Sequence, residues 1–440
     1  MRTTVRFILA LVAIACLAGC TGGLPPILTQ WIPVATPATP APQTAVPAVP
    51  TQPGNTPVPT PEPSLAGPLH LTLWIPPEFN PGADTASAGL LRDQLKAFES
   101  QNPDIRVDVR VKAAGGPSGL LASLTAASAA APAALPDLIA LPRQDLESAV
   151  LKGLLFPYDG LTAVSNDPDW FSYARQLAVI GGSTYGLPFA GDALLLVYRP
   201  AHLTGIPTDW QSLLSQSVPV AFPSADPGAA FTITQYMAEG GAVADIQGRP
   251  YLDSAPLGRV LKNYSSGAKQ GVFPPWLSQY ETDQQSWQAY NAQQAQMAVT
   301  WVTRYLAETP SGSTALPLPV SKPGGFTLAV GWSWALSNPH SVHAAESARL
   351  AEFLIQSDFQ ARWTEAAGYL PTRPTALAAW KGQNLQSLLG PVAMSAQAMP
   401  PAETIESLGP VLKEAVLQVI RDQGDPSQAA NSAAQHFKTP

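Results

Sequence analysis

The sequence predicts an α/β protein with two folded lobes. At 440 residues the chain is longer than a single hydrophobic core usually serves. From Leu69 onward, short apolar runs with a period of two alternate with segments of helical periodicity. This alternation favours parallel β-α-β units with right-handed crossovers in an open sheet.

Residues 1–20 have the layout of an export signal. Arg2 and Arg6 precede an apolar run that is too short to span a bilayer and that ends in small residues. The segment from Leu17 to Cys20 resembles the lipobox of bacterial lipoproteins, which implies cleavage before Cys20 and diacylation of that cysteine. The alternative is a signal end of small residues that happens to contain a cysteine. Two acyl chains would attach the protein to a membrane surface without a span.

The other cysteine, Cys16, lies inside the predicted signal, so no disulfide is expected in the mature protein. Residues 21–68 are predicted to form a disordered, proline-rich stalk, since 24–68 contain fourteen prolines, which lack a backbone donor. Charged residues are only 12% of the chain and the net charge is −7. This composition shows no basic footprint for nucleic acid, so we expect no nucleic-acid partner.

The folded part begins with a regular alternation of strands and helices. We predict strands at 69–75, 105–111 and 137–141, and helices at 87–103, 118–131 and 145–153. The section from about 192 to 323 mixes helical patterns with short apolar runs at 218–222 and 297–301, which predicts a second α/β lobe. A helix at 344–357, a loop at 368–376 and a mostly helical tail follow.

The stretch 325–338 alternates bulky and small side chains, as a strand with two unlike faces would. Phe326, Leu328 and Trp334 are expected in the core. Trp332 could either fill the core or face a ligand. The small face would let a helix approach closely.

Six stretches in unbroken order, from about Leu69 to about Arg373, resemble the extracellular solute-binding proteins of ABC importers, in the branch similar to maltose-binding protein. They are LKAFESQNPDIRVDV, PDLIALPRQDLESAVLKGLLFPYDGL, YGLPFAGDALLLVYRPAHL, AQMAVTW, GGFTLAVGWSWALSN and LAEFLIQSDFQARWTEAAGYLPTR. The resemblance implies a two-lobed periplasmic-binding-protein-like fold (type II) with hinge strands that cross between the lobes. The implied crossings lie near 185–192, 324–333 and 368–373. The N-terminal lobe would be 69–189 plus 334–368, and the C-terminal lobe 190–323 plus 374–440.

Together with the lipobox, this resemblance implies a lipid-anchored, monomeric protein on the extracytoplasmic face of the membrane. It would capture a mono- or oligosaccharide between the lobes and deliver it to the permease subunits of an ABC transporter. Two alternatives stay open: a binding protein for a peptide, polyamine or glycerol phosphate, and a surface sensor with the same fold. We expect no metal and no other cofactor.

A sugar-binding cleft needs flat aromatic rings for the faces of the sugar and polar groups for its hydroxyls. Residues of both kinds occur at the predicted strand ends and crossings, which makes the candidates Trp74, Glu78, Phe79, Arg143, Gln144, Asp192, Trp301, Trp332 and Tyr369. Trp301 lies close to where members of the family carry a sugar-stacking tryptophan, although the usual GPW spacing is absent. Trp74 could instead be core, Glu78, Arg143 and Gln144 could be solvated, and Asp192 could cap a helix or turn.

Catalytic motifs are not evident in the sequence. The five histidines form no HExxH pair, and neither a GxSxG elbow nor a Walker-type phosphate loop is present. Ser266 and Lys269 have the SxxK spacing but lack the partner motifs of that enzyme class. We therefore expect a binding protein and rank a hydrolase below it.

Overall fold

The structure is a computed structural model that describes residues 67–321, 324–337 and 343–437. The predicted signal, its Cys20 and nearly all of the predicted stalk lie outside these residues. The strands are β1 (Leu69–Ile75), β2 (Ile105–Val111), β3 (Leu138–Pro142), β4 (Val179–Ile180), β5 (Ser183–Thr184), β6 (Leu187–Tyr198), β7 (Val220–Ala221), β8 (Met297–Trp301), β9 (Thr314–Leu316), β10 (Thr327–Leu336) and β11 (Ala396–Ala398).

The helices alternate with these strands along the first part of the chain and dominate its end. They are α1 (Ala86–Gln101), α2 (Leu120–Ala130), α3 (Arg143–Leu151), α4 (Ser172–Ala178), α5 (Trp210–Ser215), α6 (Ala230–Ala238), α7 (Ser254–Lys269), α8 (Asp283–Asn291), α9 (Val302–Glu308), α10 (Ala344–Phe353), α11 (Ser357–Ala367), α12 (Pro374–Ala378), α13 (Gln383–Ser395), α14 (Ala402–Ile420) and α15 (Pro426–His436). Strands β1, β2 and β8 have the predicted bounds. The helix predicted at 344–357 ends earlier, at Phe353, and α11 begins at Ser357.

Within the described residues, nine strands form one mixed sheet. Its main order is β2-β1-β3-β10-β6-β8-β7, with β11 beside β10 and β9 beside β6. Strand β1 is parallel to β2 and β3, as the β-α-β pattern predicts. Strand β10 runs antiparallel to both β3 and β6, and β6 runs antiparallel to β8. The sheet is therefore parallel only in parts.

Strands β6 and β10 connect the two parts of this sheet. The first half of β6 pairs with β10 up to Ala193, and its second half pairs with β8 from Leu194. Strand β10 lies beside β11 as far as Ala329 and beside β3 from Trp332. Strand β6 thus changes a neighbour one or two residues after the predicted crossing at 185–192. Strand β10 changes a neighbour inside the predicted crossing at 324–333.

The hydrophobic core follows this division only in part, since a cluster that includes Leu71 also extends to Trp287 and Val302. One cluster of buried side chains draws only on residues from Leu194 onward, and it contains Phe326 and Leu328. Trp334 belongs to a second cluster, which lies mainly under β1, β3 and the first half of β6. All three side chains are at most 3% exposed, so the expectation that they are core is confirmed.

Helix α4 packs against the small face of β10. A side chain at Gly331 would meet Leu177 of α4 at 2.7 Å, and one at the paired Gly191 of β6 would collide with Tyr173 of the same helix. Only glycine leaves room for the helix at these two positions. The close approach of a helix, predicted from the small side chains, is confirmed.

Candidate functional site

A cavity of about 310 Å³ opens where β3 ends and where β6 and β10 run side by side. Its lining is Pro142, Arg143, Gln144, Gly191, Asp192, Thr303, Val330, Gly331, Trp332 and Tyr369. Five residues of this lining are candidates from the sequence, namely Arg143, Gln144, Asp192, Trp332 and Tyr369. They come from four separate segments of the chain, and the sheet brings them together.

The aromatic side of the cavity consists of Trp332 and Tyr369, both half-buried. Tyr369 lies parallel to Trp363, with ring centroids 6.1 Å apart. Phe79 stands edge-on to both lining rings, at 5.1 Å from Trp332 and 5.7 Å from Tyr369. Phe79 itself is 2% exposed, so it supports the two rings from behind and presents almost no surface to a ligand.

Asp192 joins β6 to the beginning of α9. Its Oδ1 accepts hydrogen bonds from the backbone nitrogens of Ala193 (2.9 Å) and Thr303 (3.0 Å), and its Oδ2 accepts one from the Thr303 hydroxyl. Burial raises the pKa of this carboxyl to about 7, although these hydrogen bonds lower it. Both oxygens are therefore engaged within the protein, and the residue caps a helix more than a hundred positions away.

Arg143 is held at the first position of α3 by four hydrogen bonds. Its Nε donates to Glu147 Oε1 at 2.6 Å, and its Nη1 donates to the carbonyl oxygens of Gln176, Leu177 and Val179 at 2.7–2.9 Å. The Arg143 and Glu147 side chains are 15% and 11% exposed. The pair is neutral as a unit, so this wall of the cavity carries no free charge.

Tyr369 and Gln144 supply neutral polar groups. Burial raises the pKa of Tyr369 to about 12, and the negative charges of Asp192 and Glu78 add to the effect. The phenol therefore stays protonated and can both donate and accept a hydrogen bond. Glu78 is exposed beside this ring and does not line the cavity, whereas Gln144 is exposed and does.

Trp74 and Trp301 lie outside the lining. Strand alternation sends Leu73 and Ile75 to one core cluster and Trp74 to another, where its side chain is 3% exposed. Its indole nitrogen has no hydrogen-bond partner among the described residues, and Lys112 Nζ lies 4.7 Å from its ring. Trp301 is half-buried, immediately precedes α9 and packs against the core cluster that begins at Leu194. In this structure neither ring offers a face to the cavity.

The sequence analysis missed Thr303 and Val330 as lining residues. Thr303 follows Trp301 by two positions, and its place is set by the bond to Asp192. Val330 sits on the strand that already supplied a candidate, but its side chain alone carries no polar signal. The pairing of β6 with β8 places Thr303 beside Asp192, and the pairing of β6 with β10 places Val330 there.

Among the described residues, no group of three or more histidine, cysteine, aspartate or glutamate side chains is arranged to hold a metal ion. The same residues include no helix that is both long and apolar enough to cross a membrane.

Comparison with known families identifies the chain. The profile of the bacterial extracellular solute-binding proteins matches residues 93–387, about two thirds of the sequence, and this chain belongs to that family. Members of such a family act outside the cytoplasm. None of the curated protein sequences is significantly similar to this chain.

Several solved structures with the same fold are sugar-binding proteins. The sugar-binding protein MalE from Xanthomonas citri is 21% identical, with a TM-score of 0.67 over 83% of this chain and 96% of that one. A cyclo/maltodextrin-binding protein complexed with maltotetraose is 20% identical, with a TM-score of 0.68 over 86% and 98%. The cyclic α-maltosyl-1,6-maltose binding protein from Arthrobacter globiformis is 16% identical, with a TM-score of 0.68 over 84% and 98%. The two-lobed α/β fold class is thereby confirmed.

Proposed function

We propose that this protein captures an uncharged carbohydrate in the cavity between β3, β6 and β10 and delivers it to the permease of an ABC transporter. The observation that carries the proposal is the combination of two half-buried rings, Trp332 and Tyr369, with neutral hydrogen-bonding groups in the lining of one cavity. Flat rings pack against the C–H faces of a sugar, and hydroxyl and amide groups pair with its hydroxyls. Relatives with this fold bind sugars, which supports the same ligand class here.

The state of the charged residues favours an uncharged ligand. A polyamine would require free carboxylates, but Asp192 accepts three hydrogen bonds within the protein. A glycerol phosphate would require free cations, but Arg143 is paired with Glu147 at 2.6 Å. The Arg143–Glu147 pair leaves no free cation, and a pKa of about 7 means that Asp192 carries only part of its negative charge near neutral pH, so the cavity offers little charge to offset the loss of hydration that an ionic ligand would suffer.

Thr303 and Gln144 are the proposed hydrogen-bonding partners of the sugar, beside the hydroxyl of Tyr369. Trp332 and Tyr369 would pack against its ring faces. The Thr303 hydroxyl donates to Asp192 and so keeps its acceptor capacity for a ligand hydroxyl. Asp192 and Arg143 then act by positioning, since their polar atoms are largely used in holding α9 and α4.

The proposed lobes are 69–189 plus 334–368 and 190–323 plus 374–440, with hinges near 185–192, 324–333 and 368–373. Strands β6 and β10 would bend where they change neighbours. A ligand that contacts both lobes stabilises the closed form by its differential affinity. Small-angle scattering with and without ligand tests this, since closure decreases the radius of gyration; an unchanged radius at saturation would contradict the hinge.

We further propose that a diacylated Cys20 anchors the protein outside the cytoplasm and that residues 21–68 act as a spacer. This attachment would keep the binding domain near its permease. Replacement of Cys20 by serine should move the protein from the membrane fraction to the soluble fraction. Retention of the variant in the membrane would rule out the lipid anchor.

A thermal-shift screen of the purified protein tests the ligand class. The panel should contain neutral mono- and oligosaccharides, amino acids, spermidine, glycerol 3-phosphate and glucuronate. Because a ligand stabilises the folded state by mass action, the true class should raise the melting temperature in a concentration-dependent way. Stabilisation by spermidine or glycerol 3-phosphate, with no response to any sugar, would refute the proposal.

A further inference from the structure

A second cleft adjoins the cavity just described. It has a volume of about 420 Å³ and lies between α3, the β4–β5 hairpin and the beginning of α14. Its apolar part includes Leu151 and Val179, which are 83% and 41% exposed. Glu403 and Glu406 form its polar edge. We call this space the outer groove and the first cavity the inner cavity.

Arg143 is the one residue that lines both spaces within the described part of the chain. Its side chain is therefore the partition between them. The guanidinium is fixed on one side by Glu147, whose Oε2 accepts from the backbone nitrogen of Ala402 at 3.1 Å, and on the other by the last carbonyls of α4. A side chain with four hydrogen bonds loses little further freedom when a ligand packs against it.

The inner cavity is small. Its volume stands at the lower end of the roughly 300–1,000 Å³ range of small-molecule pockets. One or two sugar rings can occupy such a space, and a longer chain that extends towards α3 would meet Arg143 before it reached the outer groove. The outer groove has apolar and carboxylate surfaces that could receive further sugar rings. On this side of the cavity, the Arg143 side chain therefore limits the length of the bound sugar.

We propose that Arg143 is a specificity-determining wall that keeps sugar rings out of the outer groove and so favours mono- and disaccharides. The inference rests on the proposed function, because it concerns which sugars enter the same cavity. The ion pair with Glu147 and the contact with α4 act by holding the wall in place.

The test compares the binding of sugars of increasing length to the full-length protein. Wild type, Arg143→Ala and Arg143→Met are titrated by calorimetry with glucose and with the maltose-to-maltotetraose and cellobiose-to-cellotetraose series. The methionine side chain keeps much of the length of arginine but loses all four hydrogen bonds, so it controls for a purely structural role. Melting temperatures verify that each variant is folded.

We expect wild type to bind a disaccharide at least as tightly as the tetrasaccharide of the same series. Arg143→Ala should bind the tetrasaccharide about tenfold more tightly relative to the disaccharide, because the rings beyond the second gain contacts in the outer groove. Arg143→Met should shift the ratio less than Arg143→Ala, because its side chain keeps much of the bulk although the hydrogen bonds no longer hold it in place.

Three outcomes would refute the proposed role of Arg143. The first is a wild type that already prefers the tetrasaccharide tenfold, which leaves the sugar-binding proposal intact. The second is an identical shift in the alanine and methionine variants, which would show that the hydrogen bonds rather than the bulk matter. The third is an unchanged length ratio in Arg143→Ala. Failure of every sugar to bind wild type would instead refute the proposed function, and the wall with it.

Discussion

Replacement of Asp192 by asparagine should remove part of the pH dependence of folding stability. Asparagine has nearly the same shape, and its carbonyl oxygen can accept from the backbone nitrogens of Ala193 and Thr303. The Thr303 hydroxyl can turn round and accept from the new amide. The substitution therefore removes the ionisable group while it keeps the cap on α9.

The sign follows from the raised pKa. Burial raises the pKa of Asp192 from 3.8 to about 7, so between these values the folded protein holds a proton that the unfolded chain has released. The free energy of unfolding must then fall as pH rises from about 4 to about 7 and level off above that. A pKa shift of about three units corresponds to at most about 4 kcal/mol over the whole range.

Between pH 5 and pH 8 the same shift amounts to roughly 2–3 kcal/mol. Asp192 lines the cavity and is half-buried, so solvent screening reduces this figure. We expect wild type to lose about 1–3 kcal/mol more than Asp192→Asn over that interval. Burial also raises the pKa of Asp283, but that group is present in both proteins and cancels to first order.

Urea unfolding at pH 5 and pH 8 measures the effect in wild type, Asp192→Asn and a control variant. Asp159→Asn, at an exposed aspartate, controls for the loss of one negative charge. It should follow wild type at both pH values. Equal pH dependence in wild type and Asp192→Asn would refute the reasoning, since the carboxyl would then have no raised pKa in the folded protein.

The other predictions concern the ligand, measured by calorimetry with a sugar found in the screen. Trp332→Ala should weaken binding about ten- to hundredfold through the loss of about 1–3 kcal/mol of stacking. Trp276→Ala, at a half-buried tryptophan outside the cavity, should not, and an equal loss in both would contradict the assignment. Trp301→Ala, made alongside, should also leave binding unchanged, whereas a loss equal to that of Trp332→Ala would show that its ring reaches the ligand. Tyr369→Phe keeps the ring and should cost about 1 kcal/mol, roughly fivefold in affinity, and no loss would exclude the hydroxyl from the contact. Removal of residues 24–68 should leave affinity unchanged in solution, and a weaker complex would give the spacer a part in binding.

Periodicity predicted the strands well where a strand is regular and internal. Strands β1, β2 and β8 have the bounds read from the sequence, because alternation and flanking turns coincide there. Position at a strand end, the signal used for the site, failed for Trp74. Alternation shows that Trp74 and Ile75 point to opposite faces, but it does not show that helices cover both faces of β1, which is why Trp74 is buried.

The chemistry of the cavity could be predicted only in part, since several roles depend on distant partners. Asp192 and Arg143 were chosen for their charges. In the structure Asp192 accepts a hydrogen bond from Thr303 of α9, 111 positions away. Arg143 donates to carbonyl oxygens at and just after the end of α4, 33–36 positions away. Phe79 was chosen as a ligand-facing ring and instead supports Trp332 from behind. Residue type and strand ends located the region, and tertiary hydrogen bonds decided what each side chain can do.

Gly191 and Gly331 make part of the cavity floor from bare backbone. Since α4 forbids a side chain at either position, that portion of the surface meets a ligand with peptide groups that point mutation can hardly alter. Any change in ligand preference must therefore arise at lining positions that carry side chains, such as Gln144, Thr303 and Val330. The cavity would then combine a backbone surface that substitution leaves unchanged with side chains that substitution can replace.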